Sequence, residues 1–129
     1  MSSLKMHEKA VFEKIFDRGG YVLDFSDSTY AAFFREHRIN IEAQKYLANG
    51  RSKMKRLRTF WEIEPDLLVG NVLEALLQYA CAVEEVAPKD KEDALVVIAR
   101  LQGKKIPTPQ QDTEAAFINK EFPSLLNFG

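Results

Sequence analysis

The residues that could do chemistry are concentrated in one basic segment, "NGRSKMKRLRTFWEIEP", at positions 49–65. The segment predicts a helix over residues 53–63 with Ser52 as its cap. Cations are poorly placed at the start of a helix, because the dipole already presents partial positive charge there. Such a cluster can instead form an anion-binding patch, for RNA or DNA phosphates. The candidate binding residues are Arg51, Lys53, Lys55, Arg56 and Arg58.

The same segment has a second interpretation, in which its charges serve packing. Residues 1–60 hold 12 Lys/Arg and 7 Asp/Glu, whereas residues 61–129 hold 6 and 12. The basic helix could therefore meet the acidic second half of the chain, helped by an Arg58–Glu62 pair at i,i+4. We expect packing first and anion binding second, because the large apolar residues share one inward face. These residues are Met54, Leu57, Phe60 and Trp61.

Residue types that carry catalysis or bind metals are sparse in the rest of the chain. There is one cysteine, Cys81, and there are two distant histidines, His7 and His37. A metal site needs such residues clustered at ligand spacing, and a nucleophilic thiol needs an activating partner. The phosphate-loop motif G-x-x-x-x-G-K-[ST] is also missing. The sequence therefore predicts a non-catalytic protein without a metal or cofactor.

The composition is that of an ordinary globular domain. The chain has 129 residues, of which 46% are hydrophobic and 29% charged, enough for one domain with its own core. No apolar run approaches the roughly 20 residues that cross a bilayer, and the start lacks a secretory signal. A single cysteine agrees with a reducing compartment. We expect a cytoplasmic protein with no membrane partner.

Helical spacing and capping signals predict an all-α fold, a compact domain of five or six helices with a long central buried helix. This domain covers residues 1–103, and residues 104–129 form a linker, a short helix and an apolar tail. We expect the tail to dock on the domain or on a second copy, or to lead into an absent effector domain. Its apolar residues are Leu125, Leu126 and Phe128. The predicted helices cover about 4–18, 27–37, 53–63, 65–85, 91–102 and 113–121.

Several residues predict where helices begin, end or approach one another. Gly19 and Gly20 are expected to stop the first helix, which Ser2 or Ser3 would cap. The following "YVLDF" could be extended, but no partner strand is evident. Gly70, inside the long helix, predicts a close approach by a neighbouring element. Later signals are a cap at Asp90 and a stop at Gly103.

Residues 23–80 carry four motifs that follow one another along the chain. They are F-x-x-S-T-Y-x-x-F-F from Phe25, G-x-S-K-x-x-R-L-R-x-F-W from Gly50, the E-P-D turn at 64–66, and V-G-x-x-L-x-x-L-L from Val69. This pattern resembles the N-terminal domain of bacterial AbiJ-type abortive-infection proteins, which act in phage defence. The motifs mark the ends and faces of helices and contain no catalytic residues.

The resemblance implies a regulatory or sensor module that acts by protein contact. In that family the domain precedes an effector domain, often a predicted HEPN-type ribonuclease. Such ribonucleases carry an Arg and a His four to six residues apart, a spacing that Arg35 and His37 do not have. The implied partner is an effector domain or another protein, with a homodimer as a further possibility. The alternative is a nucleic-acid-binding module that uses the basic helix at 51–58.

Overall fold

The computed structural model describes residues 1–104, and the predicted linker, helix at 113–121 and apolar tail lie outside them. Within the described residues five α-helices form the framework, which confirms the all-α fold class. The elements are α1 (Met6–Phe16), β1 (Asp17–Arg18), β2 (Tyr21–Val22), α2 (Asp27–Glu36), the 3₁₀ helix η1 (Gln44–Leu47), α3 (Lys53–Ile63), α4 (Asp66–Val83) and α5 (Pro88–Leu101).

The longest helix among residues 1–104, α4, has the central position that its apolar arc predicts. It packs along α5 and also contacts α1, and its Leu73 and Leu76 side chains are fully buried. Gly70 lies where α5 comes closest. A Cβ atom at that position would lie 3.0 Å from the Cβ atom of Leu101, so the predicted close approach is confirmed. The helix begins after Pro65, which precedes it as the cap residue rather than opening it.

The α4 helix is also, by length and composition alone, apolar enough to cross a membrane. A core helix of a globular protein passes the same test. In this fold one side of α4 faces the core, as expected of such a helix. Its buried residues are Val69, Gly70, Val72, Leu73, Leu76, Leu77 and Ala80.

The first helix begins later than the sequence predicts. The N–H of Lys5 donates to the carboxylate of Glu8 at 2.9 Å, so that α1 starts at Met6. The predicted cap Ser3 points elsewhere, and its hydroxyl donates to Asp66 at the start of α4 at 2.8 Å. The first residues of the chain are therefore held against the junction of α3 and α4 and do not cap α1.

Gly19 and Gly20 turn a hairpin instead of stopping a helix, which corrects the sequence prediction. The helix ends at Phe16, and β1 pairs with β2 in antiparallel fashion, Asp17 opposite Val22. Both glycines have positive φ angles, +67° and +98°, which side-chain-bearing residues rarely adopt. The carboxylate of Asp17 also accepts from the Gly20 N–H at 2.9 Å. The "YVLDF" segment therefore has a partner strand in residues 17–18, which were predicted to be helical.

Two predicted serine caps are confirmed, and one predicted cap is wrong. The Ser26 hydroxyl accepts from the Thr29 N–H at 3.2 Å in α2, and Ser52 does the same in α3. By contrast, α5 begins at Pro88, ahead of Asp90, because proline has no N–H to satisfy and suits the first turn. Gly103 follows the helix end with a φ of +74°, as its predicted role requires.

Tyr46 joins the η1 loop to the end of α3. Its hydroxyl donates to the Glu64 carboxylate at 2.6 Å, and Lys45 Nζ lies 3.1 Å from the same oxygen. The hydrogen bond from Tyr46, with help from Lys45, holds the pKa of Glu64 below its usual range. The pair contributes stability while Glu64 is ionised. That contribution is complete above the unfolded-state pKa and is lost as the pH falls through the lowered folded-state pKa.

Replacing Tyr46 by phenylalanine is therefore expected to cost more stability at neutral pH than in acid. At neutral pH the lost hydrogen bond to a charged acceptor should lower the free energy of unfolding by about 1.5–3 kcal/mol. The difference between variant and wild type should shrink as the pH falls below the ordinary glutamate pKa of 4.5 and through the lowered folded-state pKa, measured by urea unfolding. Tyr21→Phe, at an exposed ring, is the matched control. A Tyr46→Phe difference that stays constant with pH would contradict this account.

Candidate anion-binding site

The amino end of α3 lies against the hairpin of β1 and β2. The N–H of Met54 donates to the Gly20 carbonyl oxygen at 2.9 Å, and the N–H of Lys55 donates to the Ser52 hydroxyl at 3.1 Å. No acidic residue occupies the first turn of α3. The positive partial charge of this helix end is therefore not balanced by the helix's own side chains.

Lys53 is buried at this end of α3 despite its charge, with only 6% of its surface exposed. Its Nζ atom lies 2.8 Å from the Asp27 carboxylate of α2 and 4.9 Å from the centroid of the Tyr21 ring. The hydrogen bond from Lys53 lowers the pKa of Asp27. The hydroxyl of Tyr30 donates to the Lys53 carbonyl at 2.9 Å, so α2 and α3 are joined at the same place.

Arg56 is also buried, with 8% of its surface exposed. Its guanidinium carbon lies 5.5 Å from the centroid of the Tyr30 ring, in cation–π geometry, and its Nε atom donates to the Arg51 carbonyl at 3.1 Å. Within residues 1–104, neither terminal guanidinium nitrogen, Nη1 or Nη2, has a hydrogen-bond acceptor. Arg56 therefore carries donors that the described part of the chain leaves unused.

Arg58 lies on another side of α3 and is neutralised there. Its Nε atom is 3.2 Å from the Glu13 carboxylate of α1, and its Nη2 atom is 3.3 Å from Asp17 of β1. The predicted Arg58–Glu62 pair is not formed, because Arg58 turns toward α1, and Glu62 accepts from Asn49 instead. The acidic partners of this helix come from the first half of the chain, which corrects the prediction that the second half supplies them.

The five predicted cations therefore do not form one patch. Lys55 is exposed outside the group, and Arg58 is on a separate face. The other three line an open cleft of about 390 Å³ between the hairpin and the starts of α2 and α3, here called the α3 cleft. The hairpin contributes residues 19–21. The helices and the residues before them contribute Asp27, Arg51, Ser52, Lys53 and Arg56.

The charge of the α3 cleft favours an anionic ligand. Its three cations, Arg51, Lys53 and Arg56, outnumber its one carboxylate, Asp27. Arg51 is exposed at the rim, whereas Lys53 and Arg56 are buried below it. Arginine offers several N–H groups in a planar fork that matches the oxygens of a phosphate or carboxylate. The arrangement can hold an oxyanion.

No family model, curated protein or solved structure gives a significant match to this chain. What the α3 cleft can bind therefore follows from its own charges and donors. The oxygen of the Ser52 hydroxyl, also in the cleft, accepts the capping hydrogen bond from the Lys55 N–H.

The histidines and the cysteine are not brought together with this cleft. His7 is exposed on α1, His37 packs against Phe33 with 5.1 Å between ring centroids, and Cys81 is exposed on α4. Within residues 1–104 no group of three or more His, Cys, Asp or Glu side chains is placed to hold a metal ion. Asp27, the carboxylate of the cleft, is paired with Lys53.

Sequence reasoning did not identify Tyr21, Asp27 or the hairpin glycines as part of the site. All of them are distant in sequence from the basic segment and reach it only through tertiary contacts. One signal was available. A Gly-Gly pair followed by an aromatic residue is a hairpin turn signature when residues on both sides can extend.

A second surface feature is a group of three exposed apolar residues close together in sequence where α3 meets α4, here called the apolar corner: Ile63, Pro65 and Leu67. All three side chains are exposed, Leu67 to 58% and Ile63 to 41%. The chain terminus lies beside them, because the Ser2 hydroxyl donates to the Trp61 carbonyl oxygen. Clustered exposed apolar residues are more informative than scattered ones, because they mark contact surfaces.

Proposed function

We propose that this chain is a non-catalytic regulatory or sensor module of a bacterial anti-phage abortive-infection protein. It acts through contact with an effector domain or an effector protein. The family part of this proposal comes from the resemblance of residues 23–80 to the AbiJ-type N-terminal domain. The contact part is supported chiefly by the apolar corner.

The apolar corner suits such a contact because a rigid frame presents it. The corner joins α3 and α4, and both helices bury one face in the common core. Asp66, within the corner, accepts hydrogen bonds from the backbone N–H of Ser3 at 2.6 Å and from its hydroxyl at 2.8 Å. A partner that covers Ile63 and Leu67 would remove their apolar surface from water, worth roughly 1.5–3 kcal/mol for each side chain fully buried.

The proposal predicts that charges at the apolar corner abolish phage defence without unfolding the protein. Ile63→Glu combined with Leu67→Glu would place two carboxylates where the effector contacts the corner, and burying unpaired charge is strongly unfavourable. In bacteria that carry the gene at its own locus, plaque counts should rise to those of a strain without it. Phage release from infected cells should rise in parallel, since abortive infection kills the infected host before progeny are released.

The matched control is Leu95→Glu, a similar change at a partly exposed leucine on α5. This variant should protect like wild type, and thermal unfolding should show that all the variants remain folded. Full protection by the corner variant would contradict the contact. If the wild-type gene protects against no phage tested, the abortive-infection assignment fails while the contact can still be tested by solution mass. A wild-type dimer that the corner variant converts to a monomer would identify the partner as a second copy.

The alternative function is nucleic-acid binding by the basic helix, for which only some of the five cations are available. Lys53 and Arg58 each have an acidic partner within the domain, so their charges are partly satisfied. The exposed cations of the segment are Arg51 and Lys55. Two exposed cations do not make a long basic surface for a polynucleotide, and the cations that lie together are those of the α3 cleft.

A further inference from the structure

We propose that the α3 cleft binds a single phosphoryl group, carried by a free nucleotide or by the end of a nucleic-acid strand. This inference does not depend on the protein contact proposed at the apolar corner. It places a small anionic ligand at the opposite end of α3, between the β1–β2 hairpin and the first turn of α2.

The main support is the unused hydrogen-bonding capacity of Arg56. More than nine-tenths of this residue is buried, yet its two terminal nitrogens have no acceptor among residues 1–104. Buried polar groups are nearly always paired, because an unmade hydrogen bond there is costly. The cation–π contact with Tyr30 and the hydrogen bond from Nε to the Arg51 carbonyl oxygen hold the guanidinium in place. Arg56 lines the α3 cleft, so a phosphoryl group bound there could accept hydrogen bonds from its terminal nitrogens.

A second observation is the ion pair between Lys53 and Asp27. The Lys53 side chain is 7% exposed and the Asp27 side chain is 85% exposed, so the lysine lies under a carboxylate that stands in solvent. This carboxylate already accepts a hydrogen bond from the Lys53 ammonium group, as a bound anion would. A phosphoryl group on Arg56 would share the ammonium group with Asp27 or displace the Asp27 carboxylate from it. Asp27 should therefore weaken binding of the ligand.

The size of the cleft and one aromatic ring indicate what carries the phosphoryl group. A volume of about 390 Å³ lies within the range of small-molecule sites and exceeds the needs of a lone phosphate ion. Tyr21, whose surface is 61% exposed, stands at the cleft with Lys53 near its ring. An exposed aromatic ring beside a phosphate site can stack a base, and such stacking tolerates different bases. A nucleotide fits both features.

Calorimetric titration of the full chain at low salt tests the proposal with matched probes. The probes are uridine 5′-monophosphate, uridine without the phosphate, inorganic phosphate, and a uridine decamer with and without a 5′-phosphate. Binding of the monophosphate but not of uridine is expected. Preference for the phosphorylated decamer over the monophosphate would identify the strand end as the source, and the reverse order would identify the free nucleotide.

Three variants connect binding to the cleft. Arg56→Gln should weaken monophosphate binding by roughly 10- to 100-fold, through loss of charge-assisted hydrogen bonds. Arg51→Gln, at an exposed rim residue, should weaken it in the same direction without affecting folding. Asp27→Asn should tighten it by roughly two- to fivefold, because the carboxylate that competes for Lys53 is gone and its exposure to solvent keeps the effect modest. Lys91→Gln, which removes an exposed charge from α5, should change nothing.

If Arg56→Gln unfolds, Arg51→Gln and Asp27→Asn still decide the matter, since both positions are exposed. Weaker monophosphate binding in Arg51→Gln together with tighter binding in Asp27→Asn would support the site. Equal binding of uridine and its monophosphate, weakening by Lys91→Gln as large as by Arg51→Gln, or no binding of any phosphorylated probe would overturn it.

Discussion

Leu76→Ala is expected to lower the free energy of unfolding by about 2–5 kcal/mol. The Leu76 side chain is fully buried on the face of α4 that packs into the common core. Truncation removes three carbon atoms from apolar surroundings and leaves a cavity that the neighbouring helices fill only in part. Chemical denaturation followed by circular dichroism would measure the change, with an unchanged slope against denaturant as a check on two-state behaviour.

Leu67→Ala is the matched control, because it makes the same chemical change in the same helix. Leu67 is 58% exposed at the apolar corner, so the loss should stay within about 0.5 kcal/mol of wild type. Equal losses at positions 67 and 76 would mean that α4 does not bury the face described here. The central position of this helix would then be wrong.

Gly70→Val is expected to destabilise the fold by about 1–3 kcal/mol through overpacking. A Cβ atom at position 70 would lie 2.9 Å from Gln102 Cγ and 3.0 Å from Leu101 Cβ, both closer than ordinary contact. Better helix propensity offsets only part of this, since glycine is about 1 kcal/mol worse than alanine in a helix. Gly70→Ala should therefore cost less than Gly70→Val, and thermal unfolding would rank the two.

Ala82→Val controls for the effect of a branched side chain on α4, because Ala82 is exposed in the same helix. It should lose only a few tenths of a kcal/mol, in line with its lower helix propensity. If Gly70→Val were as stable as wild type, α4 and α5 would have to separate more easily than their close packing indicates. A stable Gly70→Val would also mean that the close approach of α5 to α4 does not require glycine at position 70.

The sequence by itself determined the helical framework. Capping serines at 26 and 52 and the apolar spacing of α3 and α4 depend on neighbours within one or two turns, so a linear pattern contains them. This is why α3 was predicted at residues 53–63 and occupies Lys53–Ile63. A glycine inside a long helical pattern is likewise visible in the sequence, so the close approach at Gly70 could be predicted. The burial of Leu57 and Trp61 with Leu73 follows from the same helical spacing.

Only the tertiary structure decided where the charges of α3 go. Long basic side chains can reach acids on any nearby element, and sequence distance says little about which element is near. Arg58 reaches Glu13, 45 positions away, and not Glu62 on its own helix. Lys53 reaches Asp27, because the Tyr30 hydroxyl and the hairpin hold α2 beside α3. The sequence could thus name the five cations, but folding selected the three that share a cleft, and among residues 1–104 it left the two terminal nitrogens of Arg56 without an acceptor.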